Sequence, residues 1–295
     1  MHFDYYKVFY YAAKHKNFTK AAQELYTSQP AVSRTISALE SELGCRLFIR
    51  SKRGLELTKE GEVLLGYVSA AFNQLVKGEE EVNRATSLDT GTIYISATVT
   101  ALRGFLFTAI NAFKKKYPNV RFKISTGSTT DCLKRLNDGA SEIAFASTPC
   151  PTNEDQNVTK LLDFQDVLMA GNQYRSLADK VIEPKDVYNY AFVSLKKGMK
   201  LREFLDEAFL KEGIEFHPDI EADGADLIVD TISANLGMGF VPSFLAQPAV
   251  DLGRALILKS SLPLAKRSIV MITSKSHSRS NASRQFIKMI REQLI

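Results

Sequence analysis

The apolar residues at the start of the chain repeat with the helical period of 3.6 residues. Three short helices are predicted in turn, and each has a polar residue placed to cap its N-terminus. The predicted caps are Asp4, Thr19 and Ser28, and Pro30 falls in the first turn of the third helix, where its missing N–H costs nothing. The predicted core-facing residues are Tyr5, Val8, Phe9 and Ala12, then Phe18, Ala22 and Leu25, then Val32, Ile36, Leu39 and Leu43.

After the third predicted helix, the spacing of the apolar residues changes first to the pattern of short strands and then back to that of a helix. The run LFIRSKRGLELT has apolar pairs on both sides of a basic turn, which predicts a β-hairpin. From Thr58, a predicted cap, no proline interrupts the chain through about residue 86, and apolar residues recur every three or four positions. This pattern is typical of a helix that pairs with another helix, although a helix packed on its own chain has the same pattern. The seam consists of Leu65, Val68, Phe72, Leu75 and Val82.

Beyond residue 91 the pattern alternates between strands and helices. TIYISA, VRFKIS and EIAFAS read as strands, followed by DVLMAG, AFVS, DIEA, GFVP and SIVMIT. Helices are predicted at residues 102–117, 131–137, 201–212, 226–235 and 282–294. Such alternation predicts an α/β fold with parallel sheets and ligands near the carboxyl ends of the strands.

Composition narrows the class of protein. A chain of 295 residues predicts two or three units, and the 45% hydrophobic content is ordinary for a soluble protein. No apolar run approaches the ~18 residues of a membrane span, so a cytoplasmic location is expected. Cys45, Cys132 and Cys150 are odd in number and lack CxxC spacing, which argues against disulfides and zinc. Cys132, at a predicted helix start, is a hypothetical reactive thiol.

Most of the positive charge lies at the N-terminus. Residues 1 to 58 contain nine lysines and arginines against five acids, a net +4 of the total +5. The outward side of the third helix has Gln29, Ser33, Arg34 and Ser37, the kinds of side chain that bind base edges and phosphates. A solvated polar surface would have the same composition. The basic hairpin tip adds a second surface suited to DNA.

Hydroxyl side chains follow several of the predicted strands. Hydroxyls and free amides at helix starts suit a small anion, although each residue could simply cap a helix. We expect these candidates to bind a small anionic ligand: Thr98, Thr100, Ser128, Thr129, Ser194 and Lys197.

The N-terminal residues resemble a known family. The pattern FxxxxxxxNFTKAAxxLxxSQPAVSRxIxxLExxLGxxLFxRxxRxxxLTxEG, from Phe9 through Gly61, is similar to the N-terminal domain of LysR-type transcriptional regulators. The resemblance implies a winged helix-turn-helix, a long dimerising linker helix and a two-lobed α/β effector domain resembling type 2 periplasmic binding proteins. Lys16 stands where the family commonly has glycine, and we expect Asn17 to supply the left-handed turn.

The resemblance also implies an organisation and a set of partners. We expect a DNA-binding domain at residues 1–58, a linker helix at 59–86, a hinge at 87–91 and an effector domain at 92–295. Lobe I would take about 92–161 and 268–295, and lobe II about 162–267. The expected partners are promoter DNA, a small effector, further copies of the chain in a homodimer or homotetramer, and RNA polymerase. The implied DNA contacts are Ser28, Gln29, Pro30, Ser33, Arg34, Ser37, Arg50, Lys52 and Arg53.

Two other classes of function are less compatible with the sequence. The second half alone would suit a solute-binding protein without a DNA function, but the N-terminal unit argues against it. The four histidines are scattered, and no HExxH, GxSxG or P-loop motif occurs, so we expect neither an enzyme nor a cofactor. The sequence therefore favours a transcriptional regulator that responds to a ligand.

Overall fold

A computed structural model describes residues 2–51, 54–82 and 91–292. The chain divides into an N-terminal unit that ends at Val82 and a C-terminal unit that contains most of the remainder. Each unit has its own buried core, because a chain of this length exceeds what one core can serve.

The N-terminal unit is a three-helix bundle with a hairpin and a long helix. The predicted helices pack around Phe9, which is fully buried. The predicted hairpin is confirmed, with Phe48 opposite Leu57 in an antiparallel pair. The elements are α1 (Phe3–His15), α2 (Phe18–Glu24), α3 (Gln29–Leu43), β1 (Phe48–Ser51), β2 (Gly54–Leu57) and α4 (Lys59–Val82).

The predicted caps have mixed outcomes. Thr58 is confirmed as the cap of α4, since its Oγ1 accepts the N–H of Gly61 at 3.0 Å. Asp4 is wrong as a cap because α1 begins at Phe3, which places Asp4 within the first turn. Ser28 precedes α3 as predicted, but its side chain makes no capping hydrogen bond. Leu43, predicted to face the core, is 41% exposed because it lies in the last turn of α3.

The turn before α2 also differs from the prediction. Asn17, and not Thr19, caps the helix, since its Oδ1 accepts the N–H of Thr19 at 2.8 Å and that of Lys20 at 3.1 Å. Asn17 is therefore extended, with φ −162°, and Lys16 itself takes the left-handed conformation with φ +47°. The cap thus lies two residues before the predicted one, and the left-handed position lies one residue before the predicted one.

Helix α4 buries most of its predicted seam within its own unit. Val68 is 6% exposed and belongs to the same core as the first three helices, and Leu65 packs against that core. The ring of Phe72 stacks on Tyr10 at 4.9 Å and on Phe3 at 5.6 Å between centroids. Packing on α1 thus accounts for the period of these three seam residues without a second copy of the chain.

Other apolar side chains of α4 are exposed. Leu75 and Val76 are about half exposed, and Val63 and Tyr67 are 64% and 76% exposed. The side chain of Val82, the last predicted seam residue, lies outside the described residues. Most of the predicted seam is therefore not available to a second helix, which would have to pack on the exposed apolar residues of α4.

A matched pair of glycines in α4 gives the first testable prediction. A Cβ on Gly61 would lie 2.2 Å from the carbonyl oxygen of Leu47, a backbone atom that cannot rotate away. We expect Gly61→Ala to lower the free energy of unfolding by about 1–3 kcal/mol. Gly66 has no atom within 4 Å of the equivalent position, so Gly66→Ala should be neutral or stabilise by up to about 1 kcal/mol. Urea denaturation measures both, and equal effects would contradict the close packing of α4 on the backbone at Leu47.

The C-terminal unit contains two larger sheets, one in each lobe. The strands are β3 (Gly91–Ala97), β4 (Val120–Thr126), β5 (Ile143–Ser147), β6 (Gln156–Phe164), β7 (Asp166–Gly171), β8 (Val181–Ile182), β9 (Val193–Leu195), β10 (Ile220–Ala222), β11 (Met238–Pro242), β12 (Ala255–Ser260) and β13 (Arg267–Ser274). The five-stranded sheet of lobe I has the order β4-β3-β5-β13-β6, and the four-stranded sheet of lobe II has the order β11-β7-β12-β8. The short pair β10-β9 belongs to lobe II and is linked to β11 by a bridge between Phe192 and Met238.

The prediction of parallel sheets is only partly right. Strands β4, β3 and β5 are parallel, as are β9 and β10. In contrast β13 runs antiparallel to β5 and β6, and β7 runs antiparallel to β11 and β12. The chain crosses between the two sheets twice, from β6 to β7 and from β12 to β13, and it does so without a helix that would make the strands parallel. These two connections are called the crossovers.

The helices are α5 (Val99–Ala101), which continues through a π-helical turn (Leu102–Leu106) into α6 (Phe107–Lys116), then α7 (Thr129–Asn137), α8 (Lys200–Lys211), α9 (Ala225–Ser233), α10 (Ser243–Asp251) and α11 (Asn281–Glu292).

Candidate functional site

The outward side of α3 has the residues that the sequence predicts there. Pro30, Arg34 and Ser37 are exposed, Ser33 is half-buried, and the opposite side of the helix fills the core. Ser28 is exposed just before the helix, and Gln29 is half-buried at its start. The side of α3 formed by residues 30, 33, 34 and 37 is called the reading face below. Its short side chains would let a helix approach base edges in a groove closely.

The hairpin is fixed to α3 by a buried carboxylate. Oε1 of Glu40 accepts the backbone N–H of Leu47 at 2.8 Å and that of Phe48 at 3.2 Å. Oε2 accepts a hydrogen bond from the Arg46 guanidinium at 2.9 Å. The predicted contacts of the tip, Lys52 and Arg53, and the side chain of Arg50, lie outside the described residues.

Tyr26 is a further candidate for a DNA contact, and its residue type alone does not predict one. Its side chain is 97% exposed, and its backbone takes φ +51°, which is uncommon for a residue other than glycine. It lies three residues before α3, in the turn of the helix-turn-helix. A phenol fully exposed at this position can donate a hydrogen bond to a phosphate.

The C-terminal unit has a cleft where parallel strands of both lobes end. Strands β3, β4 and β5 of lobe I and strands β9 and β10 of lobe II end at its edges. The cleft has a volume of about 420 Å³, within the usual range for small-molecule sites. Lobe I contributes Thr98, Val99, Thr100, Thr126, Gly127, Ser128, Thr129 and Ser147, and lobe II contributes Leu195, Met199, Lys200, Leu201, Asp223, Gly224, Ala225, Asp226 and Leu227.

Four of the six predicted ligand-binding residues line this cleft, namely Thr98, Thr100, Ser128 and Thr129. Ser194 and Lys197 are not among its lining residues. Ser194 is buried in β9, one residue short of the strand end that reaches the cleft, and its hydroxyl makes no hydrogen bond with the described residues. The lysine that reaches the cleft is Lys200, at the start of α8.

Two of these hydroxyls also cap helices. The Thr98 hydroxyl accepts the N–H of Ala101 at 3.2 Å, which leaves its own hydrogen available for a ligand. The Ser128 hydroxyl donates to Oδ2 of Asp131 at 2.6 Å and accepts the N–H of that residue at 3.1 Å. The hydrogen bonds from Ser128 hold the pKa of the Asp131 carboxyl below its usual range. Thr100 and Thr129 are buried, and their hydroxyls make no such contacts with the part of the chain that the structure describes. They are therefore better placed than Ser128 to donate to a ligand.

Ser147 was not predicted, and a buried ion pair holds it. The Arg267 guanidinium donates to its Oγ at 2.8 Å, to both oxygens of Asp166 at 3.0 and 2.8 Å, and to the carbonyl oxygen of Thr148 at 2.6 Å. Asp166 opens β7 and Arg267 opens β13, so both ions lie at the crossovers between the lobes. The oxygen of Ser147 is thus occupied, and its hydrogen is free to donate into the cleft.

The charged residues of the lining do not form a positively charged binding site. One lysine faces two carboxylates, Asp223 and Asp226. Lys200 forms an ion pair with Glu203 at 2.6 Å, and Asp223 forms one with Lys196, which raises the lysine pKa. For an anionic ligand the lining therefore offers hydroxyls and helix N-termini, with no unpaired cation among the described residues.

The hypothesis that Cys132 is a reactive thiol is wrong. Its side chain is fully buried in α7, and burial raises its pKa to about 12. Burial likewise raises the pKa of Cys150 to about 11. Desolvation outweighs the effect of the helix N-terminus, so both thiols stay protonated at neutral pH.

Neither a membrane-spanning helix nor a metal-binding cluster occurs among the described residues. Among the helices that the structure describes, none combines the length and apolar character needed to cross a bilayer. The same residues contain no group of three or more histidine, cysteine or acidic side chains arranged to hold a metal ion.

Two family models match the chain. Residues 3–62 match the helix-turn-helix of bacterial regulatory proteins of the lysR family, and residues 86–295 match the LysR substrate binding domain. Together they cover nearly the whole chain, and the second alone covers more than half of it.

Individual proteins are similar over most of their length. The regulator CysB of Burkholderia cenocepacia is 30% identical over 244 residues, which are 82% of this chain and 77% of CysB. YybE of Bacillus subtilis, an uncharacterized HTH-type transcriptional regulator, is 28% identical over 257 residues and 87% of each chain. The crystal structure of CbnR, a LysR family transcriptional regulator, superposes over 100% of both chains with a TM-score of 0.71 and 19% identity, which shows a shared fold.

Proposed function

The chain belongs to the LysR family of bacterial transcriptional regulators, and from that premise we propose which of its surfaces bind DNA and effector. It is a DNA-binding regulator with an effector-binding domain and not an enzyme. The reading of the second half as a solute-binding protein without DNA function is not favoured. The observation that carries the proposal is the pairing of an exposed reading face on α3 with a hydroxyl-lined cleft between the two lobes of the C-terminal unit.

The reading face enters the major groove of promoter DNA. Arg34 binds guanine or phosphate, and Ser33, Ser37 and Gln29 bind base edges or phosphates. Ser28 and Pro30 are small, so the first turn of α3 can lie close to the DNA. Arg50, Lys52 and Arg53 of the hairpin tip contact the backbone or minor groove, and Tyr26 donates to a phosphate next to the reading face.

The cleft binds a small effector that carries an anionic group. The hydroxyls of Thr98, Thr100, Thr129 and Ser147 receive this group, with help from the N-terminus of α7. An effector that touches both lobes binds one arrangement of the lobes more tightly than others and so shifts the population toward it. Arg267 donates to Ser147 and forms the buried ion pair with Asp166 at the crossovers, so a ligand bound to Ser147 also acts on the crossovers between the lobes.

The proposed domains are a DNA-binding domain at residues 1–58, a linker helix at 59–86, a hinge at 87–91 and an effector domain at 92–295. Copies of the chain pair through α4, using exposed apolar residues such as Leu75 and the position of Val82, so that two reading faces reach half-sites about 34 Å apart. The protein acts in the cytoplasm, on the chromosome, and contacts RNA polymerase at the promoter.

The cleft is tested by removing one hydroxyl. The full-length protein is screened by thermal unfolding against acetate, succinate, benzoate, inorganic phosphate and the common amino acids. A ligand at one hundred times its Kd stabilises the fold by about 2.7 kcal/mol, which raises the Tm by a few degrees. Thr100→Val keeps the shape of the side chain and should abolish the shift, since the lost hydroxyl leaves the ligand oxygen unpaired.

The control for this experiment is Thr108→Val, on the exposed side of α6 and outside the cleft, which should retain the full shift. A hit that survives Thr100→Val unchanged, or a panel without any hit, would argue against the cleft as the effector site.

A further inference from the structure

The two walls of the effector cleft differ in chemistry. The lobe I wall consists mainly of hydroxyl side chains and has no charged residue. The lobe II wall combines apolar side chains with Lys200, Asp223 and Asp226. A ligand that fills the cleft must therefore present an oxygen-rich end to lobe I and a different chemistry to lobe II.

Asp226 is the charged residue of the lining that has no partner among the described residues. Lys200 is paired with Glu203 and Asp223 with Lys196. Among the described residues, no hydrogen bond or ion pair engages the Asp226 carboxylate. A carboxylate on the wall of a cleft disfavours a simple anion and favours a ligand with a positive charge at the same place.

The position of this carboxylate depends on the residue before the helix. Gly224 precedes α9 in an extended conformation, and a Cβ on it would lie 2.5 Å from Oδ1 of Asp226. The carboxylate thus occupies the space above Gly224 that a side chain would take. An acid in a first helical turn is favoured by the helix dipole, but that role does not explain its place in the lining of a ligand cleft.

The apolar part of the lobe II wall is partly open. Leu227, next to Asp226 in the chain, is 50% exposed, and Met199 and Leu201 are half-buried. A ligand with an apolar group would cover these side chains and gain roughly 25 cal/mol for each Å² of apolar surface removed from water.

We propose that the effector is a zwitterion of the α-amino-acid type with an apolar side chain. Its carboxylate binds the hydroxyls of lobe I, its ammonium binds Asp226, and its side chain packs on Leu227, Met199 and Leu201. This assignment rests on the proposed role of the cleft as the effector site and names the chemical class that the site selects.

The test compares amino acids with analogues that differ only in the ammonium group. Isothermal titration of the full-length protein uses L-leucine, L-methionine and L-phenylalanine and the 2-oxo acid with the same side chain as each. We expect at least one amino acid to bind, and to bind at least ten times more tightly than its 2-oxo acid. Asp226→Asn, which keeps the shape of the side chain, should remove this ratio by weakening the amino acid and leaving the 2-oxo acid unchanged or tighter.

Two further variants separate recognition from structure. Asp230→Asn changes an exposed acid one turn further along α9 and should leave the ratio unchanged. Gly224→Ala keeps Asp226 but displaces its carboxylate, so it should also reduce the ratio. If Asp226 only supports the helix, its replacement lowers the Tm and leaves the ratio intact, which overturns the proposal.

Other outcomes identify which claim has failed. Equal binding of amino acids and 2-oxo acids, abolished by Thr100→Val, overturns the zwitterion while the cleft remains the effector site. Binding of none of the six compounds up to 10 mM overturns the zwitterion. Binding that is insensitive to both Thr100→Val and Asp226→Asn places the ligand elsewhere and overturns the cleft as well.

Discussion

Replacing Asp166 with alanine is expected to lower the free energy of unfolding by about 3–5 kcal/mol, because it leaves a buried guanidinium without its counter-charge. Arg267 is 2% exposed, and Asp166 accepts two of its hydrogen bonds at 3.0 and 2.8 Å. The guanidinium also lies over the rings of Phe164 and Phe204, 4.9 and 5.8 Å from their centroids. Alanine at position 166 would leave the guanidinium beside these rings without a counter-charge.

Asp163 provides a matched control only three residues away. It also pairs with a lysine and accepts a hydrogen bond from Ser268, and its pKa is lowered by Lys160, but it is half exposed. Asp163→Ala should therefore leave the free energy of unfolding nearly unchanged, because solvent screens an exposed ion pair. Chemical denaturation of the full-length protein measures both variants.

A double variant tests the physical reason for the loss. Asp166→Leu combined with Arg267→Met removes both charges and should cost less than Asp166→Ala alone. A double variant as unstable as the single one, or an Asp166→Ala protein as stable as the wild type, would contradict the assigned role of the pair.

Replacing Arg34 with alanine is expected to weaken binding to a specific DNA site by about tenfold to a hundredfold. A bidentate contact between arginine and guanine contributes roughly 1–3 kcal/mol of discrimination, and each 1.4 kcal/mol corresponds to a factor of ten. Arg34 is exposed on the reading face, while the opposite side of α3 is buried, so the substitution removes a contact without disturbing the core.

The measurement is fluorescence anisotropy with a genomic fragment that the wild-type protein selects and with a random fragment of the same length. Affinity for the random fragment should change much less than affinity for the selected one, because non-specific binding depends on the total charge facing the phosphates. Arg175→Ala removes an exposed arginine of the C-terminal unit, whose guanidinium donates to Asn172 at 3.2 Å, and should leave both affinities unchanged. An Arg34→Ala protein that keeps the full preference for the selected fragment would contradict the reading face.

Local patterns were sufficient to predict the reading face. The buried positions Val32, Ile36 and Leu39 define one side of α3, and the opposite side follows from helical geometry. The strand ends of lobe I were predictable for the same reason, since hydroxyls directly after parallel strands gather at one edge of the sheet.

Periodicity reports that a residue is buried but not what buries it. Val68 and Phe72 have the spacing of a dimer seam, yet they pack on α1 of their own unit. Similarly, Asn17 and Thr19 are both good capping residues, and only the geometry of the turn decides between them.

Contacts between distant parts of the chain lay beyond the sequence. Ser147 is 120 residues away from Arg267, and Asp166 is 101 residues away from the same guanidinium. No local pattern relates these positions, because each stands at the end or start of a different strand. The role of Asp226 could not be predicted from the sequence either, because it depends on which of the neighbouring charged residues form ion pairs in the fold.

The most direct test of the account is the selection of DNA by the purified full-length protein from a pool of genomic fragments. We predict that a few fragments are strongly enriched, that they share two half-sites about one helical turn apart, and that Arg34→Ala abolishes the enrichment. Recovery of all fragments in proportion to their abundance, by a protein whose fold is intact, would contradict a regulator that reads DNA through α3.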